Sequence, residues 1–306
     1  MSALPAAVTL VEVGPRDGLQ NESAPVSTAD KIALIDALSG AGHARVEAGA
    51  FVSAKWIPQM ADAEAVFAGI TRRPGVRYSA LVPNLAGLER AADAGVTDIA
   101  VFAAASESFS RRNINASVDE SLARYADVAG AALSRGMRVR GYVSTAFGCP
   151  FEGRVDPRRV IDVTKALFAM GVEEVAISDT IGIAHPGQVQ SLTAELAASL
   201  TTGQRDALAM HFHDTRGTAL VNVYAAMTEG ITIFDCSAGG LGGCPYAPGA
   251  AGNLATEDLL FMLDGLAIST GVDRAKVAAA SRTLEPKLGH PLPSRLLQAA
   301  RLSPDN

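Results

Sequence analysis

MGVEEVAISD at positions 170–179 is the clearest example of a short sequence pattern that recurs along the chain and determines its fold. An amphipathic pattern ends here at Gly171, a run of branched apolar residues follows, and the run stops at Ser178-Asp179. A glycine past a helix end, followed at once by a short apolar run, is typical of the step from a helix into a buried strand. We therefore predict a helix over Pro157–Met170 and a strand over Glu174–Asp179.

The same alternation runs from one end of the chain to the other. The predicted strands are Val8–Val13, Ala44–Ala48, Arg77–Val82, Asp98–Ala103, Arg138–Ser144, Glu174–Asp179, Ala207–His213 and Ile231–Cys236. The predicted helices between them are Thr28–Ala41, Leu85–Ala94, Val118–Arg135, Pro157–Met170, Pro186–Leu200 and Thr218–Glu229. Eight consecutive βα units over about 250 residues favour a closed (β/α)₈ TIM barrel over an open doubly wound sheet. The first strand is also not followed by the GxGxxG turn of a dinucleotide-binding fold.

The chain beyond position 252 is predicted to be helical again. Thr256–Ser269 closes the eighth unit, and Asp273–Lys287 and Ser294–Arg301 form an appended tail. No Pro/Ser-rich linker or charge run interrupts the pattern. We therefore expect a single α/β domain over residues 1–306, with the barrel at about 8–270 and extra C-terminal helices at about 271–306.

Composition excludes several classes of function. With 26 Lys and Arg against 32 Asp and Glu, the net charge is -6, which gives no support for nucleic-acid or acidic-membrane binding. No run of about 18 apolar residues suggests a membrane span, and the first residues do not resemble a secretory or transit signal. The three cysteines form no CxxC pair, so we expect a reducing, cytoplasmic location without structural disulfides.

Charged and imidazole side chains follow five of the eight predicted strands. They are Glu12 to Asp17 after the first, Glu47 in the second, Asp179 at the sixth, His211 to Asp214 at the seventh and Asp235 at the eighth. The carboxyl ends of barrel strands meet at one mouth, where barrel enzymes place their chemistry. Buried charges require partners or a metal, and a shared cation would satisfy all of these groups.

His211 and His213 are the sharpest local signal. Side chains two apart on a strand share a face, and two imidazoles with a carboxylate are a common metal-binding set. The competing interpretation is a hydrogen-bonded histidine pair. Asp17 is a candidate third ligand and Arg16 a candidate oxyanion partner, unless the two form a simple salt bridge.

The loop Gly239–Gly249 is rich in glycine and carries Cys244. It suits a mobile lid whose thiol acts as an acid or nucleophile, although an ordinary connection with an incidental cysteine has the same composition. Asn253 offers a neutral oxygen ligand or merely a turn residue. Cys149 and Cys236 are interpreted as packing residues.

Several ordered motifs over roughly residues 8–290 resemble the 3-hydroxy-3-methylglutaryl-CoA lyase family. They are EVGPRDGLQNE at 12–22, FVS at 51–53 with Lys55-Trp56, RRNIN at 111–115, RGYVS at 140–144, SDTIG at 178–182, HFHDT at 211–215, GGCPY at 242–246 and GNLATED at 252–258.

The resemblance implies a metal-dependent carbon–carbon lyase acting on an acyl-CoA. The implied ligands of Mg²⁺ or Mn²⁺ are Asp17, His211, His213 and Asn253. Arg16 would stabilise an enolate oxygen, Cys244 would assist proton transfer, and His211 or Asp17 would serve as base. Glu47, Asp179 and Glu257 match positions in and around the family's site, and a homodimer is the implied assembly.

Departures from the family pattern fall at Thr145, Phe147, Arg216 and the stretch 48–50, positions suited to shaping an acyl pocket. They leave open a lyase for a longer 3-hydroxyacyl-CoA, of the kind formed in isoprenoid degradation. A non-catalytic metal- or CoA-binding barrel is the alternative from another class.

Overall fold

The computed structural model describes residues 4–243 and 252–301. Eight parallel strands close into a barrel in which each strand pairs with the next and the eighth pairs with the first. The strands are β1 Thr9–Glu12, β2 Arg45–Ala50, β3 Arg77–Leu81, β4 Asp98–Ala104, β5 Arg138–Ser144, β6 Glu174–Asp179, β7 Leu208–Phe212 and β8 Ile233–Cys236. The predicted (β/α)₈ class is confirmed.

Helices connect the strands and continue past the barrel. They are α1 Thr28–Gly40, α2 Ala63–Gly69, α3 Leu85–Asp93, α4 Glu107–Ile114, α5 Val118–Ser134, α6 Pro157–Ala169, α7 Pro186–Ser199, α8 Thr202–Asp206, α9 Ala219–Thr228, α10 Thr256–Gly265, α11 Arg274–Arg282, α12 Glu285–Leu288 and α13 Arg295–Arg301. The six helices predicted between strands agree within one residue at each end. In the described part of the chain, no helix combines the length and hydrophobicity needed to cross a membrane.

The predictions missed three short helices, α2, α4 and α8, which contain too few turns to show a clear apolar period. The predicted tail helix over Asp273–Lys287 is wrong, because the chain breaks between α11 and α12. Pro286 near the start of α12 cannot donate a backbone hydrogen bond to a preceding turn, which disfavours one continuous helix there. The predicted helix over Thr256–Ser269 ends early at Gly265, and Ala267 then adopts a left-handed conformation with φ of 56°.

Side chains that begin the helices satisfy their free N–H groups. Ser27 accepts a hydrogen bond from the N–H of Asp30 at the start of α1. Ser117 and Glu120 form a reciprocal capping box at the start of α5. Such caps stabilise a helix by about 0.5–2 kcal/mol each and fix where the chain turns from strand to helix.

Strand β5 places polar side chains inside the barrel and a glycine against the helical layer outside it. A side chain at Gly141 of β5 would meet Leu167 of α6, so this position faces the helical layer. Its neighbours Arg140 and Tyr142 therefore face the interior, since side chains alternate along a strand. The hydroxyl of Tyr142 donates to Glu47 of β2 over 2.9 Å, and β5 and β2 are not neighbours in the sheet. This contact crosses the barrel interior.

Ion pairs lie at the opposite end of the barrel, where the strands begin. Buried Asp98, the first residue of β4, accepts from the Nε of Arg77 over 2.5 Å and lies 3.4 Å from Nη1 of Arg138. Glu174, the first residue of β6, accepts from the Nε of Arg140 over 2.6 Å. These pairs tie neighbouring strand starts together, away from the mouth.

Candidate metal centre

A tight turn after β1 presents the first candidate ligand. The carbonyl of Val13 accepts from the backbone N–H groups of Arg16, Asp17 and Gly18, over 3.1, 2.7 and 3.2 Å. These three bonds wind residues Gly14–Gly18 into a compact helical turn. The turn holds Arg16 and Asp17 side by side at the carboxyl end of the strand.

The end of β7 supplies two imidazoles to the same place. Nε2 of His211 lies 3.1 Å from Nε2 of His213 and 3.9 Å from Oδ2 of Asp17. One potential ligand atom from each residue lies within 4.8 Å of the others. The predicted convergence of the first and seventh strand ends is therefore confirmed. The predicted strand over Ala207–His213 is one residue too long at each end, since β7 spans Leu208–Phe212 and His213 leaves the ladder to form an isolated bridge with Asn253.

The bridge brings Asn253 against the carboxylate of Asp17. Nδ2 of Asn253 donates to Oδ2 of Asp17 over 2.9 Å and to the carbonyl of Leu241 over 3.0 Å. Oδ1 of Asn253 is buried and has no hydrogen-bond partner among the described residues, and the same holds for Nδ1 of His213. Buried polar atoms normally find a partner, so unpaired acceptor atoms around a carboxylate fit the site of a bound cation. The mixed oxygen and nitrogen set suits a divalent ion.

The electrostatic environment keeps two of the candidate ligands, Asp17 and His213, unprotonated. Burial opposes ionisation of Asp17, but Arg16 and the two histidines outweigh it and lower the pKa of Asp17 to about 2. Burial and the neighbouring His211 lower the pKa of His213 to about 4. Both groups therefore offer lone pairs at neutral pH, which cation binding requires.

Asp235 of β8 orients the first imidazole. Its Oδ2 lies 3.1 Å from Nδ1 of His211, a contact that favours a proton on Nδ1 and leaves Nε2 facing Asp17. Burial lowers the pKa of His211, yet the hydrogen bond to Asp235 and the nearby carboxylate charges raise it above its ordinary value overall. Arg140 holds Asp235 in turn through two bonds of 2.7 and 3.1 Å.

These contacts continue into a chain of charges around the interior. Nη1 of Arg16 donates to Oδ1 of Asp17 over 2.5 Å, and its Nε donates to Glu47. Glu47 also accepts from Tyr142, whose hydroxyl receives a 2.6 Å bond from Arg140. Arg16 thus forms the salt bridge considered for it, and the bridge lies at the centre of the site. The two carboxylates raise the pKa of Arg16 well above its ordinary value against the effect of burial, so it remains a cation.

Two of the remaining predicted site residues, Asp179 and Glu257, accept hydrogen bonds from backbone N–H groups outside the cluster of Asp17, His211 and His213. Asp179, at the end of β6, accepts from the N–H groups of Ile183 and Ala184 over 3.0 Å each, and burial raises its pKa to about 6. Glu257 accepts from the N–H of Gly239 and from Ser281, so its contacts brace the start of the glycine-rich loop. Cys244 lies outside the described residues. Cys149 and Cys236 are buried free thiols.

Sequence reasoning gave no role to Arg140 or Tyr142 and placed Asp235 only among the charges at the strand ends. All three organise the site from within the barrel. An available signal was the alternation of Arg140 and Tyr142 inside a predicted buried strand, since a barrel interior seldom accepts a lone charge.

Two residues that depart from the family pattern, Arg216 and Thr145, have structural roles. Arg216 donates to the carbonyls of Ile181 and Gly182 over 3.0 and 2.8 Å. Thr145 adopts a left-handed conformation with φ of 59° at the end of β5, a strain that persists only where the surroundings enforce it.

Fold and site together define a (β/α)₈ barrel with a candidate divalent-metal centre at its mouth. The chain belongs to the HMGL-like family, whose sequence profile matches residues 7–284. It is 53% identical over 296 residues to a Pseudomonas aeruginosa protein named 3-hydroxy-3-isohexenylglutaryl-CoA/hydroxy-methylglutaryl-CoA lyase, covering 97% of this chain and 98% of that protein.

Solved structures agree with this assignment. The Bacillus subtilis HMG-CoA lyase superposes with a TM-score of 0.95 at 48% identity, covering 98% of this chain and 100% of that one. An Acinetobacter baumannii HMG-CoA lyase, solved with coenzyme A and 3-methylmalate, gives a TM-score of 0.92 at 40% identity, covering 99% and 98%.

Burial of Glu257 predicts a pH-dependent contribution to stability. Burial raises its pKa from 4.5 to about 7, so between these values the folded protein retains a proton that the unfolded chain releases. Stability must then fall as pH rises through this window. In urea unfolding, the free energy of unfolding of the wild type minus that of Glu257→Gln should decrease from pH 4.5 to 7, because glutamine does not titrate. A difference that stays constant or grows with pH would show that the carboxyl is already ionised in the fold.

Proposed function

We propose that this protein cleaves 3-hydroxy-3-methylglutaryl-CoA to acetyl-CoA and acetoacetate in a retro-Claisen reaction that depends on a divalent cation, Mg²⁺ or Mn²⁺. The observation that carries the proposal is the convergence of Asp17, His211 and His213 beside the cationic Arg16. Membership of the HMGL-like family and the names of its relatives support the choice of substrate.

The residues that would hold the cation are Asp17, His211, His213 and the unpaired oxygen of Asn253. When bound, the cation supplies Lewis-acid polarisation of the tertiary hydroxyl of the substrate. Loss of the hydroxyl proton to His211 or Asp17 forms the ketone of acetoacetate and breaks the C2–C3 bond. The electron pair of that bond passes into the thioester, which becomes the enolate of acetyl-CoA.

Arg16 is the group in place to stabilise the enolate oxygen. Its guanidinium is buried, permanently charged and fixed by two carboxylates, so it requires no reorganisation as negative charge develops. A proton must then reach C2 to complete acetyl-CoA. Cys244 is our candidate for this transfer, on the strength of the family resemblance.

A second candidate substrate is a longer 3-hydroxyacyl-CoA. The Pseudomonas aeruginosa relative is named for both an isohexenyl and a methyl thioester. Thr145 and Arg216, two departures from the family pattern, both bond to the segment that follows β6, and we propose that this segment borders the acyl chain. Comparing kcat/KM for the two thioesters decides between them.

The proposed reaction is tested by acetoacetate release from 3-hydroxy-3-methylglutaryl-CoA after treatment with EDTA and after adding back Mg²⁺ or Mn²⁺. We expect the chelator to abolish turnover and either metal to restore it. Thioester binding without product release in the presence of metal would favour the non-catalytic barrel. Full turnover in EDTA would contradict the metal requirement.

Replacing the guanidinium should separate catalysis from folding. Arg16→Gln retains a donor near Glu47 but removes the charge, so kcat should fall by about 10²–10³-fold, the effect expected for losing an oxyanion donor. The variant should remain folded by circular dichroism and still bind Mn²⁺. Arg72→Gln is the matched control, because Arg72 bonds backbone carbonyls near Gly95. Equal kcat values for Arg16→Gln and the control would remove Arg16 from the mechanism.

We further infer one domain over residues 1–306, in which the tail belongs to the barrel. The N–H of Asp273 donates to Ala41 and that of Ser294 donates to Gly239, over 2.8 and 3.0 Å. A cytoplasmic location is proposed from the sparse cysteines, and a homodimer from the resemblance.

A further inference from the structure

Glu12 lies outside the chemistry proposed above, yet its carboxyl connects the segments that carry the site. Its Oε1 accepts from the N–H groups of Gly14 and Ala238, both over 2.8 Å. Its Oε2 lies 2.7 Å from the hydroxyl of Thr256 and 3.6 Å from Nε2 of His43. The carboxyl is fully buried, so water does not replace any of these contacts.

Each of the three bonded segments leads directly to a candidate ligand or its support. Gly14 begins the turn that carries Arg16 and Asp17. Ala238 begins the short segment ending at Leu241, whose carbonyl fixes the amide of Asn253. Thr256 follows Asn253 by three residues and begins α10. One side chain therefore sets the spacing between the turn that holds Asp17 and the segment before α10 that holds Asn253.

The packing around Glu12 indicates that this spacing is tightly constrained. A side chain at Gly14 would place its Cβ 2.6 Å from Oε1 of Glu12. A side chain at Gly18 would place its Cβ 2.8 Å from the Cβ of Leu241. Both ends of the turn thus lie directly against the 238–241 segment, and glycine permits that approach.

We infer that Glu12 is a positioning residue that holds the turn of Asp17 at the correct distance from Asn253 for the two to share a cation. The inference rests on the proposed metal site and adds to it a residue that touches none of the ligands. Without the carboxyl, two buried N–H groups lose their acceptor, and the turn and the 238–241 segment are free to separate.

Burial raises the pKa of Glu12 to about 8, so the group is a neutral acid at pH 7 and glutamine is its close structural equivalent. The amide oxygen of Glu12→Gln would accept from Gly14 and Ala238, and the amide nitrogen would face the hydroxyl of Thr256. Glu12→Leu has a similar size and no acceptor. Glu12→Asp keeps the carboxyl but is one methylene too short to reach both N–H groups.

The experiment measures the Kd of Mn²⁺ from the electron paramagnetic resonance signal of free Mn²⁺, at a temperature where circular dichroism shows each variant folded. We expect Glu12→Leu to weaken Mn²⁺ binding by about 10- to 100-fold, the range for residues that orient metal ligands. Glu12→Gln should restore the Kd to within about threefold of wild type. If Glu12→Leu does not fold, Glu12→Asp replaces it, with an expected loss of about tenfold or more.

The matched control is Asp98→Leu, which removes another buried carboxyl with several partners at the far end of the barrel. It should lower the Tm without changing the Kd of Mn²⁺. A wild-type Kd in Glu12→Leu or Glu12→Asp would overturn the inference and leave the metal site intact. No Mn²⁺ binding by the wild-type protein would contradict the metal site itself, and the inference with it.

Discussion

A buried charge is tolerated only when another charge or a hydrogen bond compensates for its lost hydration, and this barrel holds several such charges in its interior. Arg16 and Arg140 each bond two carboxylates, and Asp235 joins Arg140 to His211. Along this chain of contacts, each buried charge therefore has an oppositely charged partner. The compensation is incomplete where Asp17, His211 and His213 meet, since His213 and Asn253 there keep buried atoms without partners among the described residues. That local deficit is the physical basis for assigning a cation to this position.

The site is supported from two sides of the barrel wall. Inside, Arg140 and Tyr142 of β5 orient Asp235 and Glu47, which in turn orient His211 and Arg16. Outside the barrel wall, Glu12 and Glu257 accept hydrogen bonds from backbone N–H groups of the 238–241 segment. The inner groups are charged and paired. Burial raises the pKa of both outer carboxyls, to about 8 for Glu12 and about 7 for Glu257, so both hold their proton to a higher pH than an exposed glutamate does.

The sequence predicted the barrel because helix-ending glycines and short apolar runs are local signals, repeated in every unit. It predicted the meeting of Asp17 with His211 and His213 because closure of the barrel brings strand ends together whatever the details of packing. It did not predict the contact of Tyr142 with Glu47 or of Arg140 with Asp235, since these join strands that are not adjacent and depend on the stagger of the closed sheet. Pro286 was visible in the sequence, but the break itself lies at residues 283–284, between α11 and α12, where no glycine or proline marks it.

A single divalent cation should bind between the ends of the first and seventh strands, and anomalous diffraction from crystals grown with Mn²⁺ would locate it. We expect one strong peak bonded to a carboxylate oxygen of Asp17 and to imidazole nitrogens of His211 and His213, at about 2.0–2.3 Å. A fully occupied Mn²⁺ peak elsewhere, with the two imidazoles still in direct contact, would contradict it.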